Sequence, residues 1–280
     1  MKIRLLIGSL FLISFYNMKA QEKFSAEINV KTEPTAKIDF NETNAVLSFH
    51  KKISTAITVT NTLAYTNLKV NYELGSFKTF ESLDHFNRLQ NKFEITQEFS
   101  STTKLNVAVT PTVNFQQNLD ASDFSVLGSL EIRQQLNSKT SINVGAARTT
   151  IFGSPKFIPT LSLLYAVNDK SALLIGFPDS RLSYSNNIRN TFSLTNTFNG
   201  SFYHLDHLIA TTDNASKVTM SQITSALEYE RNVDKNWFIN LKAGYDFNKK
   251  YNLIDDDNHK VYDFNTGNGY ILGIGIKYKQ

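Results

Sequence analysis

The sequence has no cysteine in 280 residues, five prolines and a single tryptophan. Beyond residue 20 it has no run of 18 consecutive apolar residues. The lack of cysteine rules out disulfides, Cys-ligated zinc and thiol catalysis. The lack of long apolar runs, with a mean hydropathy of −0.26, argues against a helical membrane protein. A transmembrane β-barrel needs no such run, because only alternate residues of each strand face lipid. Linkers, low-complexity tracts and compact helical regions are missing too, so the chain reads as one folded domain.

What is present begins with an export signal. Lys2 and Arg4 precede an apolar stretch from Leu5 to Phe15, and Asn17-Met18-Lys19-Ala20 leads to a cut before Gln21. That stretch is short of the roughly 20 residues a spanning helix needs, so residues 1–20 read as a Sec signal peptide and 21–280 as the mature domain. The cut removes three of the 29 Lys and Arg and none of the 25 Asp and Glu, which lowers the formal charge from +4 to +1. The pI of about 9.0 is therefore largely a property of the signal, and no nucleic-acid partner is implied.

The last strand carries the clearest pattern. Tyr270, Leu272, Ile274, Ile276 and Tyr278 alternate with Ile271, Gly273, Gly275 and Lys277. Period two is a β-strand, and an apolar face bracketed by tyrosines suits a strand with its side in lipid and its ends in two interfaces. Residues 105–116, 124–136, 157–167, 192–202 and 237–248 repeat the alternation. Trp237, Tyr245, Tyr270 and Tyr278 are the expected membrane-interface aromatics. Segments 54–74 and 217–231 change phase near Thr66-Asn67 and Gln222, which predicts a β-bulge at each. Short polar turns at 50–54, 100–104, 137–140, 168–171 and 232–236 alternate with longer stretches at 32–44, 75–87, 116–122, 204–216 and 249–267, as in outer-membrane barrels. The length predicts an antiparallel up-and-down barrel of about 12 strands, or 14, depending on two closely spaced breaks between Ile175 and Asn190. A soluble β-sandwich would alternate as well. Its exposed face would be rich in Lys and Glu, whereas the polar face here is Asn, Thr, Ser, Gln and Gly.

With this pattern, the end of the signal at Lys19-Ala20-Gln21 and the stretch from Ala172 to Tyr184 (ALLIGFPDSRLSY), the chain resembles the outer-membrane β-barrel families of Bacteroidota-type Gram-negative bacteria. One of these is known only as a domain of unknown function. The resemblance implies an outer-membrane barrel and brings no catalytic residues. Lys279-Gln280 after Tyr278 departs from the terminal aromatic on which many such barrels end.

If the apolar faces meet lipid, the alternate faces line the lumen. They carry Glu94, Glu98, Glu131, Arg133, Lys242, Asp246 and Lys277. Charges of both signs on a wall can select small polar solutes, or can pair with each other in a filled lumen. Asp179 and Arg181 read as a local ion pair in a tight turn. His204-Leu205-Asp206-His207 fits no zinc pattern. Asp255-Asp256-Asp257 with Asn258 and His259 has ligands for a hard cation without the spaced EF-hand loop, and reads as a polar loop. No metal, cofactor or catalytic residue is expected, and no Gly-x-Ser-x-Gly element occurs. Three functions stay open: a passive small-solute pore, a closed barrel acting through its outer loops, and a lipid-modifying enzyme. The expected surroundings are outer-membrane lipid, lipopolysaccharide and the barrel-assembly machinery of a Gram-negative cell.

Overall fold

Alternating residues become strands that pair in chain order. The structure, a computed structural model, describes residues 23–280 apart from 74–76, 78, 79, 81 and 210–214, and leaves aside the side chains of 207–209. The expected signal peptide lies outside the described residues. The strands are β1 (Lys23–Pro34), β2 (Ile38–Lys52), β3 (Ile57–Tyr72), β4 (His85–Glu98), β5 (Thr103–Phe115), β6 (Phe124–Gln135), β7 (Thr140–Thr149) and β8 (Lys156–Asn168). They continue as β9 (Ser171–Phe177), β10 (Asp179–Asn187), β11 (Asn190–Ile209), β12 (Ala215–Asp234), β13 (Trp237–Ile254), β14 (Lys260–Asp263) and β15 (Gly269–Lys279). Each strand pairs antiparallel with its neighbour, and β15 joins β13 to β1. Among the described residues the ring closes, and β14 alone is left with one paired side. β14 is a short addition to the far end of β13, so the barrel has fourteen strands.

Fourteen corrects the leading expectation of 12. The two breaks between Ile175 and Asn190 are both turns. They bound two short strands, β9 and β10, joined through Pro178 alone. The start of β1 and the end of β15 lie together at one end of the barrel, the terminal end, where Ser25 faces Lys279. The turns at that end are short, and side chains cap them. Ser54 Oγ accepts from the amides of Ala56 and Ile57, Ser100 Oγ from Thr102 and Thr103, and Asn137 Oδ1 from Lys139 and Thr140. These are the local bonds that favour Ser and Asn in turns.

The far end differs from the reading of long loops. β1 runs on to Pro34 and β2 restarts at Ile38, so residues 32–44 are mostly strand, as are much of 204–216 and 249–267. The bulge expected near Thr66-Asn67 is absent: β3 keeps an unbroken register with β2 and with β4 from Thr58 to Lys69. The polarity of the two faces exchanges instead. Below Thr66 the outward residues are Val59, Leu63 and Tyr65; above it they are Asn67, Lys69 and Asn71, while Leu68 and Val70 point inward and are buried. Near Gln222 a register shift does exist, but the extra residue sits on β13. From Ser221↔Lys250 to Ile223↔Phe247, β13 advances three residues against two. Asn248 takes up the bulge with φ 50°, a left-handed conformation that asparagine tolerates better than most residues.

The inward apolar residues of the far end form a core. Ile38, Phe40, Leu68, Val70, Phe77, Phe80, Leu83, Phe86, Tyr203, Val218, Tyr251, Leu253 and Phe264 are all buried in one cluster. Tyr251 stacks on Phe264 at 4.2 Å between ring centroids, and its hydroxyl is 2.5 Å from that of Tyr72. Burying one such side chain stabilises by about 1.5–3 kcal/mol, so the far end is a packed closure.

The closure also involves β11. Its upper part leans across the barrel and pairs in parallel with β5 at His204 and Phe115. Consequently its outward face there meets protein: Thr150 Oγ1 donates to the Gly200 carbonyl at 2.8 Å, and Phe202 is buried. A Cβ on Gly200 would collide with the backbone of Thr150 and Ile151. Gly200→Val should destabilise the refolded barrel by about 1–3 kcal/mol, measured as an earlier urea midpoint, while Gly273→Ala, whose Cβ would meet only ordinary contacts of 3.5–3.6 Å, should cost less.

Candidate functional site

Below the closure the lumen is polar. Residues 27, 29, 31 and 33 of β1 face inward, because 28 and 30 are among the most exposed apolar side chains of the outer wall. The same alternation turns Glu42, Arg181, Glu228, Glu230, Lys242, Asp246 and Lys277 inward on their strands. They pair within a strand, between neighbouring strands and across an intervening one. Lys277 lies 3.1 Å from Glu27 and 3.8 Å from Glu230, Lys242 is 3.2 Å from Glu228, and Arg181 is 2.8 Å from the same carboxylate. Lys31 bridges Glu33 at 2.8 Å and Glu42 at 3.4 Å. These pairs surround a cavity of about 420 Å³. A second cavity of about 190 Å³ shares Lys31 and Glu42 with it and ends against Phe40 and Leu68 of the closure.

Between the two cavities and the closure lies a buried charge cluster. Lys249, placed inward by the Asn248 bulge, pairs with Glu33 and lies 3.5 Å from Asp246. Thr224 donates to Asp246 at 2.6 Å, and the Lys249 ammonium sits 4.4 Å from the Phe40 ring centroid. Removing charges from water is costly, and the geometry offsets this by giving each carboxylate more than one partner.

The residues expected from sequence fall in different places. Lys242, Asp246 and Lys277 belong to this paired wall. Glu94 pairs with Lys92, and Glu98 lies 2.5 Å from Lys104 near the end that carries the termini. Arg133 donates to Ser141 Oγ at 3.2 Å and lines a shallow recess at that same end. Glu131 faces inward on β6 beside Gly145. The expected Asp179–Arg181 pair does not form, because Arg181 reaches Glu228 and Ser180 Oγ bonds Gly176 instead. The four aromatics stand in two levels. Trp237 faces Tyr278 with ring centroids 5.2 Å apart, and Tyr245 faces Tyr270 at 5.3 Å. Eight residues separate the levels on β13, about 27 Å along a strand and roughly 20 Å of height at barrel tilt. That is the span of the apolar band.

Lys31, Glu33, Glu42, Arg88, Arg181, Glu228 and Lys249 were missed as luminal residues. Reading 32–44 and 249–267 as loops concealed Glu33, Glu42 and Lys249. Extending the alternation of β1 and β2 through those stretches would have found the first two.

At the far mouth, Asp206 accepts from the amides of Gln117 and Asn118 and from Asn118 Nδ2, and Gln116 ties that loop to Ser82 and to Asp206. His204 Nδ1 is 3.6 Å from Asp123 Oδ1. Asp123 lies in a short 3₁₀ turn outside the membrane, and burial pushes its carboxyl up to about 6 despite the bond it accepts from the Asp120 amide. The side chain of His207 lies outside the described residues. Asp255, Asp257 and His259 bring one ligand atom each within 4.8 Å of one another in an exposed turn. These three are the nearest approach to a cation site among the described residues.

A closed fourteen-strand ring, an outward apolar band and two aromatic levels define a transmembrane β-barrel of the outer-membrane type. The chain belongs to the family described as Domain of unknown function (DUF6268), which matches residues 105–279, from β5 to β15. A search of the curated proteins finds no match. Among solved structures, the fold is similar to a mutant of the TodX monoaromatic hydrocarbon channel, with a TM-score of 0.51 and 10% identity over 94% of this chain and 90% of that one. An outer membrane channel from Pseudomonas putida F1 gives a TM-score of 0.49 and 9% identity over 95% and 98%. The KdgM porin in complex with oligogalacturonate gives 0.41 and 9% over 90% and 98%.

The charge cluster can be tested by stability. Lys249→Met should cost about 3–5 kcal/mol, because two buried carboxylates lose a shared partner. Adding Glu33→Gln and Asp246→Asn should restore most of that loss in equilibrium unfolding from detergent.

Proposed function

We propose that this protein is a gated conduit for small polar solutes in the outer membrane of a Gram-negative bacterium. The observation that carries the reading is the pair of adjoining cavities, about 420 and 190 Å³, walled by charged side chains. A barrel serving only as a scaffold has no need to keep such groups beside open space. The end that bears the termini faces the periplasm, with the closure outside, which agrees with its short turns and with export through the signal peptide at residues 1–20. Assembly then passes through the barrel-assembly machinery, and the outer loops meet lipopolysaccharide. Glu94, Glu131, Arg133, Lys242, Asp246 and Lys277 remain the proposed lumen residues, joined by Arg181 and Glu228. Because ion pairs neutralise most of the wall, weak selectivity follows.

A closed barrel acting through its outer loops is the second reading, favoured by the apolar core that fills the far end. A lipid-modifying enzyme would need a histidine poised on a nucleophile. His85, His204 and His259 meet carboxylates instead (Asp84, Asp123 and Asp255), and the one histidine seen on a hydroxyl among the described residues, His50 with Thr60 Oγ1 at 2.9 Å, is an exposed pair near the end of β2.

Planar bilayers separate the first two. The wild type should give small, infrequent unitary steps. Phe77→Ala with Phe264→Ala should raise conductance severalfold, and Lys242→Gln in that background should shift the reversal potential toward cations. Silence from both the wild type and a correctly folded closure variant would favour the closed barrel.

A further inference from the structure

We infer that the inner cavity beneath the closure is a binding site for a small organic carboxylate, with Arg88 as its anchor. The inference deepens the conduit reading and rests on it for the solute's route of entry.

Arg88 lines the 190 Å³ cavity from β4. It is unlike the other cations there. Lys31 and Lys249 are held by Glu33, Glu42 and Asp246. Among the described residues no carboxylate lies within 4.0 Å of the Arg88 guanidinium. Its Nε is buried without a hydrogen-bond partner, and Nη2 makes one long bond, 3.5 Å, to Thr66 Oγ1. A guanidinium has five N–H donors in a planar fork that matches a carboxylate bidentately. Among the described residues four of them meet no protein acceptor, and Nε is the one also cut off from solvent, beside a wall that includes Leu68 and Phe40. Leaving such donors unsatisfied is expensive, so an oxyanion entering the cavity would find a charged partner already desolvated in part.

The surroundings select among oxyanions. Lys31, Arg88 and Lys249 share the wall with Glu33 and Glu42, and Asp246, 3.5 Å from Lys249 outside the lining, brings the local charges to three of each sign before anything binds. A singly charged carboxylate adds one negative charge. Doubly charged phosphate or sulfate adds a second against the same three acids, which disfavours it. Asn199, Ser201 and Gln222 line the opposite side and can bond hydroxyl groups of the solute. A hydroxy acid uses both sets. The cavity shares Lys31 and Glu42 with the larger one, so a solute from the terminal end would reach it past these two side chains.

Calorimetric titration of the refolded protein in detergent, in chloride-free buffer at constant ionic strength, tests the site without requiring conduction. The probes are gluconate and lactate, with sorbitol as the uncharged match and inorganic phosphate as the competing oxyanion. The wild type should bind gluconate and lactate and ignore sorbitol. Arg88→Gln should weaken gluconate at least tenfold, Arg88→Lys should fall between, and Arg231→Gln on the outer wall should match the wild type. Heat-modifiable migration on gels confirms that each variant is folded. No gluconate binding by the wild type, equal binding by folded Arg88→Gln, sorbitol binding as tight as gluconate, or phosphate binding tighter than gluconate would each overturn the assignment. The wild-type comparison of probes holds even if the Arg88 variants fail to fold. Conducting bilayers without gluconate binding would end the site and leave the conduit. Gluconate binding that requires Arg88, with silent bilayers, would support the site and end the conduit.

Discussion

Backbone amides inside a bilayer have no water to bond, and this constraint governs the rest of the molecule. Each N–H and C=O must find its partner within the protein, and an edge strand would leave a row of them bare. The closing pairs β12–β13, β13–β15 and β15–β1 meet that demand. Once the ring is closed, side chains have only two places to go. Those that meet lipid must be apolar, and those that turn inward need not be. The tyrosine-bracketed ladder of β15 and the small residues opposite it follow directly.

The same constraint loosens where the wall leaves the membrane. Past the Tyr245–Tyr270 level the outer surface meets water, and the faces of β3 exchange polarity without losing register, as do those of β12 against β11. Inward leucine, valine and aromatic rings then have no lipid to cover them, so they pack on one another and close the end of the lumen. β13 reaches the same result by a bulge, which also delivers Lys249 to the buried carboxylates Glu33 and Asp246. The charged lumen and the apolar closure are thus two parts of one wall, divided at the height where the solvent outside changes.

Much of this was legible in the sequence. Period-two alternation at 105–116, 237–248 and 270–278 revealed the strands. Lys242, Asp246 and Lys277 were assignable to the lumen by phase alone. What failed was the region above the membrane. Alternation reports which residues share a face, not what lies against that face, so an exchange of polarity at Thr66 looked like a change of phase. The extra residue opposite Gln222 was invisible because it sits on the partner strand β13, and only the pairing of β12 with β13 reveals it. Arg88 escaped notice for a related reason. Its isolation from carboxylates is a property of three dimensions, set by the strands that happen to face β4 across the cavity.

The central claim is the exchange of faces on β3 with its register intact. Because the chain has no cysteine, single cysteines can be placed along 57–72 and probed in liposomes with a water-soluble maleimide and with a lipid-borne quencher of an attached fluorophore. The account predicts quenching at Val59, Leu63 and Tyr65, maleimide reaction at Asn67, Lys69 and Asn71, and protection from both at Leu68 and Val70. Lipid quenching at Leu68 and Val70 would mean that the strand bulges at Thr66-Asn67 and turns those residues outward, and would contradict it.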